Sequence, residues 1–545
     1  MPMQAFAQQV SDRGDKPYLR QPKDGVYQEL SWAQAYEQTL RLAQGLLANG
    51  LKKGDKVAII SANCADWFIA DFALLAAGLI PTPIYATAGL DTIKYVLEHS
   101  EAKAIFIGSL ADTELALTAT PDSVTTIAMS GGPSSTDLSQ AQLINENEPL
   151  VEIHEPKLDE VFSIVYTSGS TGAPKGVVLT YKNVAFTGAA SCQITVNHRG
   201  SIQERYLSYL PLAHVTERGL IEYASLYLGA TITFNESINT FVDDLLNAQV
   251  TFFISVPRLW VKFQSQILAS MPERKLSFML KIPILNSIIK KKIKERLGFT
   301  NTLSFGSGSA PISPSILEWF SKLDINISEG WGMSETIGLA TTNYPFNKNK
   351  LGSIGAAIEG FEVRLSEQGE IQIKGDGVFA EYYRNPEATA ATFTEDGFLR
   401  TGDKGKVDAD GFYQITGRVK DIFKTGKGKY VAPVPIESKM GINTLIEQIC
   451  IMGSGLPAAI AVIVLSKDVA EGMSREEIEQ SLLDTVQTVN GQIEKHEVIG
   501  GVYVVNEEWS IANGLLTPTM KVKRSELEEK YLGVLEGQTT QFVWE

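Results

Sequence analysis

A run of glycine and hydroxyl residues that ends in a lysine is the part of this sequence best suited to chemistry. From Tyr166 to Gly176 the order is Tyr-Thr-Ser-Gly-Ser-Thr-Gly-Ala-Pro-Lys-Gly, directly after the apolar stretch Phe162–Val165. Glycines let backbone N–H groups crowd around an anion, hydroxyls donate to phosphate oxygens, and the lysine adds a positive charge. The Gly-Lys-Ser/Thr order of a Walker A loop is absent. The run predicts a phosphate-binding loop of another kind, and the alternative is a Ser/Gly-rich surface turn.

Five further segments carry polar residues in specific orders. They are Tyr209–Arg218 (YLPLAHVTER), Glu329–Thr336 (EGWGMSET), Arg400–Asp403 (RTGD), Gly417–Asp421 (GRVKD) and Leu516–Arg524 (LTPTMKVKR). Together with Tyr166–Gly176 they resemble, in order, six motifs of the adenylate-forming superfamily, which contains the AMP-forming acyl-CoA synthetases and the luciferase-like enzymes. The first and last of the five are similar to the forms found in long-chain fatty acyl-CoA synthetases.

The resemblance implies a two-step reaction that uses ATP, coenzyme A and Mg²⁺. A fatty carboxylate attacks the α-phosphate of ATP to give acyl-AMP and pyrophosphate, and the thiolate of coenzyme A then displaces AMP. Because the first step joins two anions, positive charge must be supplied where they meet. The resemblance assigns Mg²⁺, a cation that prefers oxygen ligands, to Glu335 and the Thr167 hydroxyl. An acidic residue at the start of a helix is the alternative interpretation of Glu335.

An ATP site is also implied by the resemblance. Trp331 would stack on adenine, Asp403 would hold the two ribose hydroxyls, and Arg418 would reach the ribose or a phosphate. The alternatives are a core tryptophan for Trp331 and a turn aspartate for Asp403. The complete set of expected ATP-binding residues is Thr167, Ser168, Gly169, Ser170, Thr171, Gly172, Lys175, Ser309, Ala310, Pro311, Trp331, Gly332, Asp403 and Arg418.

Four residues are the expected catalytic set. They are Lys521, His214, Thr167 and Glu335. The resemblance places Lys521 on the α-phosphate and the carboxylate; Lys523 is its rival, because on a strand it would share the same face. His214 would lie beside the acyl pocket, whereas in a purely structural role it packs between Pro211 and Glu217. The resemblance also makes Lys420 the hinge about which a small domain rotates between the two steps.

The elements that must position these residues follow an α/β pattern. Short apolar strands, the first at Lys56–Ile60 and the last at Ala104–Ile107, alternate with helices. Further strands are predicted at Phe162–Tyr166, Ala230–Phe234, Val250–Ser255 and Thr302–Phe305, and the alternation favours parallel sheets. After about Gly352 two hairpins follow, the second with an Asp-Gly turn at 410–411. The predicted fold is α/β: a large N-terminal region (1–417) of doubly wound sheets with a small β-barrel part, and a small mobile α+β domain (418–545).

Composition narrows the class of protein. With 48 basic and 63 acidic residues among 545, the net charge is −15, which argues against nucleic acid as a partner. The three cysteines are widely separated and suggest a reduced, intracellular protein. No signal peptide and no apolar run of bilayer length is evident, and a cytoplasmic location is expected.

One segment is basic, although the chain as a whole is acidic. Residues 281–297 combine six basic residues and one acidic residue with apolar residues at roughly helical spacing. Such a segment suits peripheral contact with the inner face of an anionic membrane. The alternatives are a solvated helix or a patch that meets the phosphates of coenzyme A.

The expected function is therefore activation of a long-chain fatty acid through acyl-AMP and its transfer to coenzyme A. Long-chain preference rests on the form of Pro211–Arg218 and Leu516–Arg524. Two rivals stay open: an acyl-AMP ligase that delivers to a carrier protein, and a non-catalytic acyl- or nucleotide-binding relative. Intact Lys175, Glu335, Asp403 and Lys521 argue against the second.

Overall fold

The fold was examined in a computed structural model, which describes residues 1–167, 174–199, 203–517, 520–536 and 541–545. Strands and helices alternate through most of the N-terminal region, which confirms the predicted α/β class. Within the described ranges, each helix is either too short or too polar to span a bilayer.

The first 150 residues build a five-stranded, all-parallel sheet in the order β4-β3-β5-β6-β7. Helix α3 is buried on nearly every side, which explains why its sequence is apolar all round rather than amphipathic. The elements are α1 (Pro2–Arg13), β1 (Pro17–Lys23), β2 (Val26–Ser31), α2 (Trp32–Ala48), β3 (Lys56–Ile60), α3 (Ala65–Ala76), β4 (Ile80–Ile84), α4 (Leu90–Ser100), β5 (Ala104–Ile107), α5 (Thr113–Ala119), β6 (Thr125–Ala128), β7 (Leu138–Ser139) and α6 (Gln140–Glu146).

The phosphate-loop candidate joins two antiparallel strands, β8 (Val161–Thr167) and β9 (Lys175–Thr180). The prediction that the strand at Phe162–Tyr166 continues the parallel pattern is therefore wrong. The physical reason is connection length: the few residues between the two strands suffice for a hairpin, whereas a parallel crossover needs a dozen or more.

Two mixed sheets follow. Strands β10 and β11 extend the pair β1–β2 in the order β10-β11-β1-β2, and β12, β13 and β14 are parallel neighbours. The elements are α7 (Tyr181–Arg199), β10 (Arg205–Ser208), α8 (Val215–Glu217), a π-helical turn (Arg218–Tyr223), α9 (Ala224–Leu228), β11 (Thr231–Phe234), α10 (Phe241–Ala248), β12 (Phe252–Ser255), α11 (Pro257–Ser270), α12 (Glu273–Leu280), α13 (Pro283–Arg296), β13 (Ser304–Ser307), α14 (Pro314–Ser321) and β14 (Ile327–Trp331).

Between residues 341 and 418 the strands pair antiparallel, which agrees with the hairpins predicted after about Gly352. Strands β17, β18, β20 and β21 pair in that order, and over the described residues β17 and β21 do not pair with each other. This sheet corresponds to the predicted barrel part. The elements are a 3₁₀ turn (Ser334–Thr336), β15 (Thr341–Thr342), a second 3₁₀ turn (Lys348–Lys350), β16 (Ala356–Ala357), β17 (Phe361–Leu365), β18 (Glu370–Gly375), β19 (Glu381–Tyr382), α15 (Pro386–Thr392), β20 (Leu399–Val407) and β21 (Tyr413–Arg418).

The C-terminal part has its own sheet, β24-β25-β26-β27, with apolar clusters on both faces. This agrees with the predicted α+β domain; its boundary at 417/418 stays a prediction. The elements are β22 (Phe423–Lys424), β23 (Tyr430–Val431), α16 (Pro433–Met440), β24 (Ile446–Met452), β25 (Ala459–Leu465), α17 (Lys467–Ala470), α18 (Arg475–Asn490), β26 (Ile499–Val505), α19 (Arg524–Leu535) and β27 (Phe542–Trp544).

Candidate active site

A carboxylate, a phenol and a lysine from three separate elements meet at one point. The Tyr382 hydroxyl, on β19, donates to Glu335 Oε1 at 2.6 Å. Lys175 Nζ, at the start of β9, lies 4.7 Å from the centre of the Tyr382 ring. Burial raises the pKa of Glu335, while the Tyr382 hydrogen bond and the charges of Arg418 and Lys175 act against that rise. The group is thus a buried acid held among cations, which is a fitting environment for a charged ligand.

Thr167 and Lys175 are cross-strand partners at the end of the β8–β9 hairpin where the connecting segment begins and ends. The Thr167 hydroxyl lies 3.5 Å from the Lys175 carbonyl oxygen. The hairpin therefore fixes both ends of the candidate phosphate loop. The remaining predicted loop residues, Ser168, Gly169, Ser170, Thr171 and Gly172, lie outside the described residues.

Asp403 is held between two donors that the sequence analysis also singled out. Trp331 Nε1 donates to Asp403 Oδ2 at 2.9 Å, and Arg418 Nε lies 2.9 Å from Asp403 Oδ1. Strands β20 and β21 bring the latter pair together directly, since Asp403 and Arg418 are register partners. Because each carboxylate oxygen has two lone pairs, Asp403 can still accept from two ribose hydroxyls. The hydrogen bond from its ring nitrogen also fixes the orientation of the Trp331 side chain.

The expected adenine-binding segments lie at the carboxyl ends of neighbouring parallel strands. Residues Ser309–Pro311 follow β13, Trp331 ends β14 and Gly332 follows it, so both segments lie at the same edge of the sheet. This is where open α/β sheets bind ligands. A Cβ on Gly332 would lie 2.6 Å from the Gly338 carbonyl oxygen, so only glycine allows this loop to close. Ser309 has a positive φ of 65° and is exposed.

Lys521 reaches this group of residues from the C-terminal part. The residue is exposed, while desolvation by the surrounding protein lowers the pKa of its side chain. The Arg418 charge lowers that pKa further, and the charges of Asp403 and Glu335 raise it. The backbone is fixed by mutual hydrogen bonds with Thr517 at 2.8 and 3.1 Å. The structure therefore brings Lys521 together with the predicted ATP-site residues.

Lys523, the rival of Lys521, has a different local role. It directly precedes helix α19, and its backbone N–H donates to the Leu515 carbonyl oxygen at 3.0 Å. Lys521 and Lys523 flank Val522, which forms an isolated bridge with Leu516. Of the two lysines, Lys521 interacts with the charges of Arg418, Asp403 and Glu335, while Lys523 stands at a helix start.

His214 caps helix α8 and lies within the electrostatic influence of Lys521. Its Nδ1 accepts a hydrogen bond from the Thr216 N–H at 3.2 Å, so the ring proton belongs on Nε2. Burial, and then the positive charge of Lys521, lowers the pKa of His214 to about 4. The imidazole is therefore neutral at neutral pH, and its Nε2–H is a donor rather than a positive charge.

Two polar side chains that sequence reasoning missed, the buried Glu217 and the partly buried Asn63, support the His214 segment. Glu217 Oε1 accepts from the Tyr209 N–H at 3.1 Å, and Asn63 Nδ2 donates to the Leu210 carbonyl oxygen at 2.6 Å. Burial raises the pKa of Glu217 to about 8, so the group is mostly protonated at neutral pH. Glu217 stands within a motif already identified, but nothing in the sequence signals its partner Asn63.

Arg218, the last residue of the same motif, is part of a buried polar network. Its guanidinium donates to both oxygens of Asp71, at 2.8 Å each, and to Ser163 Oγ at 2.8 Å. Tyr223 donates to Asp71 at 2.6 Å. These hydrogen bonds tie the helix after His214 to strand β8 and helix α3. Removing one charged partner would leave the other charge buried and uncompensated, which is strongly destabilising.

The predicted hinge lies where β21 ends. The Val419 N–H donates to the Gly402 carbonyl oxygen at 2.8 Å, and Lys420 beyond it is exposed. Arg524, the last residue of the segment Leu516–Arg524, lies 4.0 Å from Asp421 and 2.6 Å from Glu437. One arginine thus links the segment that carries Lys521 to the chain directly after the hinge.

The donors present suit a cation that arrives with ATP. Among the described residues, no three or more His, Cys, Asp or Glu side chains are grouped as a resident metal site would require. A Mg²⁺ ion that accompanies phosphates needs only one or two carboxylates from the protein. Glu335 would be such a carboxylate, and a cation beside it would offset the burial that raises its pKa.

Comparison with known proteins gives the same family over nearly the whole chain. The family model described as AMP-binding enzyme matches residues 6–383, and the model for the AMP-binding enzyme C-terminal domain matches residues 420–539. The long-chain-fatty-acid–CoA ligase FadD15 of Mycobacterium bovis is 30% identical, over 96% of this chain and 95% of that protein. The peroxisomal long chain acyl-CoA synthetase 6 of Arabidopsis thaliana is also 30% identical, over 96% of this chain and 84% of that protein.

Solved structures share the fold. The adenylation domain of a carboxylate reductase from Mycobacterium chelonae superposes with a TM-score of 0.81 at 22% identity, covering 98% of this chain and 90% of that one. The o-succinylbenzoate coenzyme A synthetase of Bacillus subtilis, in complex with AMP, gives a TM-score of 0.75 at 22% identity, covering 96% of this chain and 98% of that one. The chain thus belongs to the AMP-binding enzyme family, within the adenylate-forming superfamily.

Proposed function

We propose that this protein is a long-chain fatty acid–CoA ligase that works through acyl-AMP. The observation that carries the proposal is the position of Lys521: a lysine from the C-terminal part lies in the electrostatic environment of Asp403 and Glu335 from the N-terminal part. The substrate class is supported by the full-length relatives, which are named for long-chain acyl substrates.

In the first step a carboxylate oxygen of the fatty acid attacks the α-phosphorus of ATP. A new P–O bond forms, and the bond to the pyrophosphate oxygen breaks. Lys521 and Lys175 supply positive charge as negative charge accumulates, and Asp403 orients the nucleotide through its ribose. Glu335 and the Thr167 hydroxyl would hold Mg²⁺, which neutralises phosphate charge when bound.

In the second step the thiolate of coenzyme A attacks the carbonyl carbon, and AMP leaves. Lys521 then has to withdraw so that the thiol can approach, and Lys420 is the proposed hinge for this motion. Neutral His214 contributes a hydrogen-bond donor beside the reacting carboxyl group.

The direct test is AMP release from ATP with palmitate, measured with and without coenzyme A. We expect turnover that needs both the acid and coenzyme A. The Lys521→Ala variant should lose about a hundredfold or more in acyl-AMP formation, the effect of removing one group that stabilises developing charge. Lys523→Ala is the matched control and should stay within about twofold, because Lys523 stands at the start of helix α19 and has no proposed part in the reaction.

Other outcomes would redirect the assignment. Acyl-AMP that accumulates without thioester would favour delivery to a carrier protein. No AMP release with short, aromatic or long acids would favour a non-catalytic binding protein. Faster turnover with short acids than with palmitate would remove the long-chain assignment and leave the ligase. The cytoplasmic location expected from the cysteines stays a prediction.

A further inference from the structure

The helical hairpin α12–α13 has a solvent face that combines large apolar and basic side chains. Phe278, Ile284 and Ile288 are 65%, 75% and 55% exposed. The opposite side of the hairpin is anchored, since Leu276, Ile289 and Ile293 are buried in the apolar cluster beneath. Exposed basic residues accompany the three apolar ones. The hairpin face is defined by Phe278, Ile284, Ile288, Arg274, Lys275, Lys281, Lys291 and Lys292.

Helical spacing places these side chains along the same side of each helix. On α13, Ile284, Ile288 and Lys292 follow at intervals of four residues; on α12 and just beyond, Arg274, Phe278 and Lys281 follow at intervals of four and three. Phe278 and Ile288 therefore each have a basic neighbour one helical turn away, and Ile284 lies one turn from Ile288. A purely solvated helix face gains nothing from large exposed apolar groups at these positions.

The charge of the hairpin is opposite to that of the protein. Residues 273–296 contain eight basic and two acidic residues, while the whole chain carries −15. Glu273 accepts hydrogen bonds from Trp319 and Ser277, and Glu295 lies 3.8 Å from Lys291. The face thus keeps a local positive charge that an anionic surface can attract even though the molecule as a whole is acidic.

Not every lysine of the segment takes part. Lys290 is only 20% exposed and pairs with Asp324 at 3.0 Å. Burial lowers the pKa of the partly buried Lys294. The structure therefore divides the run 290–292 and assigns the outward charge to Lys291 and Lys292, together with Lys281.

We propose that the hairpin face docks on an anionic lipid bilayer. Phe278, Ile284 and Ile288 would enter the interfacial region, and the lysines would lie at the depth of the lipid phosphates, with their methylene chains along the apolar boundary. Soluble coenzyme A phosphates would account for the lysines alone, whereas a bilayer accounts for both kinds of side chain. Attraction of this kind weakens steeply with salt.

Cosedimentation with vesicles tests the proposal on the full-length protein. Vesicles of phosphatidylcholine with phosphatidylglycerol are compared with vesicles of phosphatidylcholine alone, at low and high salt. We expect binding to the anionic vesicles at low salt, and about tenfold or greater weakening in each of two triple variants, because charge and apolar burial both contribute. These variants are K281Q/K291Q/K292Q and F278S/I284S/I288S.

The control is K52Q/K94Q/K495Q, which removes the same charge from exposed lysines elsewhere and should bind as the parent does. All variants should keep the parent's melting temperature, since the altered side chains are exposed. Absence of binding at low salt, equal binding to neutral vesicles, or equal loss in the control would overturn the proposal. A parent dimer that dissociates in F278S/I284S/I288S would also overturn it, because the face would then serve a second copy of the chain.

Discussion

At the scale of single residues, the neutral state of His214 depends on its surroundings. Burial and the nearby charge of Lys521 lower its pKa to about 4 from 6.5. The folded protein therefore binds fewer protons than the unfolded chain between these two values. The stability that the neutral imidazole contributes is complete above pH 6.5 and is lost as the pH falls toward 4.

Removing the Lys521 charge should raise the pKa of His214. We expect the Lys521→Met variant to titrate His214 at a higher pH than the parent does, because one of the two causes of the lowered pKa is gone while burial remains. NMR of a sample labelled at histidine can follow this, since the chain has five histidines. Assignment uses the His214→Gln variant.

Lys523→Met is the matched control and should leave the His214 titration unchanged. A parent His214 that titrates at its ordinary value would contradict the buried position of the imidazole. An unchanged titration in Lys521→Met would show that Lys521 does not lie close enough to His214 to act on its pKa.

The limits of sequence reasoning also differ from residue to residue. Asp403, Arg418 and Trp331 were identified from separate motifs, and the structure joins them by one direct hydrogen bond and one ion pair. Tyr382, which bonds to Glu335, was missed because a tyrosine in a short strand carries no local signal of its partner. Contacts between distant segments depend on strand pairing, which a residue's own neighbours do not encode.

At the scale of elements, the type of each segment was predictable where its pattern was strong. The strands at Lys56–Ile60 and Ala104–Ile107 are confirmed with their bounds. Whether neighbouring strands run parallel or antiparallel was harder to predict. Phe162–Tyr166 has the apolar character of a buried parallel strand, yet it pairs antiparallel with β9. Apolar content reports burial on both faces, whereas direction is set by the length of the connection.

A rigid hinge should separate the two half-reactions. Lys420 follows the last residue that the N-terminal sheet fixes, and Lys420→Pro restricts φ to about −65°. Only one arrangement of the C-terminal domain can satisfy that angle, so either acyl-AMP formation or thioester formation should fall by about tenfold or more while the other stays near the parent rate. Single-turnover assays with ATP and palmitate, and with supplied acyl-AMP and coenzyme A, measure the two steps separately.

Two controls isolate the backbone effect. Lys420→Ala removes the charge but not the freedom of φ and should leave both steps near the parent rates. Glu367→Pro puts proline in an exposed turn, Ser366–Gly369, where proline is compatible. Unchanged rates of both steps in Lys420→Pro would remove Lys420 as the hinge.

At the scale of the whole molecule, the relation between the two parts was the least predictable feature. The order of motifs predicts which residues converge, but not the side-chain contacts that hold the parts together. One such contact is an ion pair between Arg258 on α11 and Glu447 on β24. The two residues stand 189 positions apart, and nothing in the sequence around either one points to the other.

This ion pair should favour the arrangement in which Lys521 lies near Asp403 and Glu335. Arg258→Gln and Glu447→Gln should each slow acyl-AMP formation by about two- to fivefold, the range for a partly exposed ion pair, and should not slow transfer from supplied acyl-AMP. The double variant should be no slower than either single variant, because each single substitution already breaks the ion pair. The matched control R364Q/D396N breaks an exposed pair within the N-terminal part and should change neither step. If the two single effects multiply, or if both steps slow equally, the ion pair does not bias the position of the C-terminal part. The position of Lys521 must then depend on the contacts of Arg524 with Asp421 and Glu437.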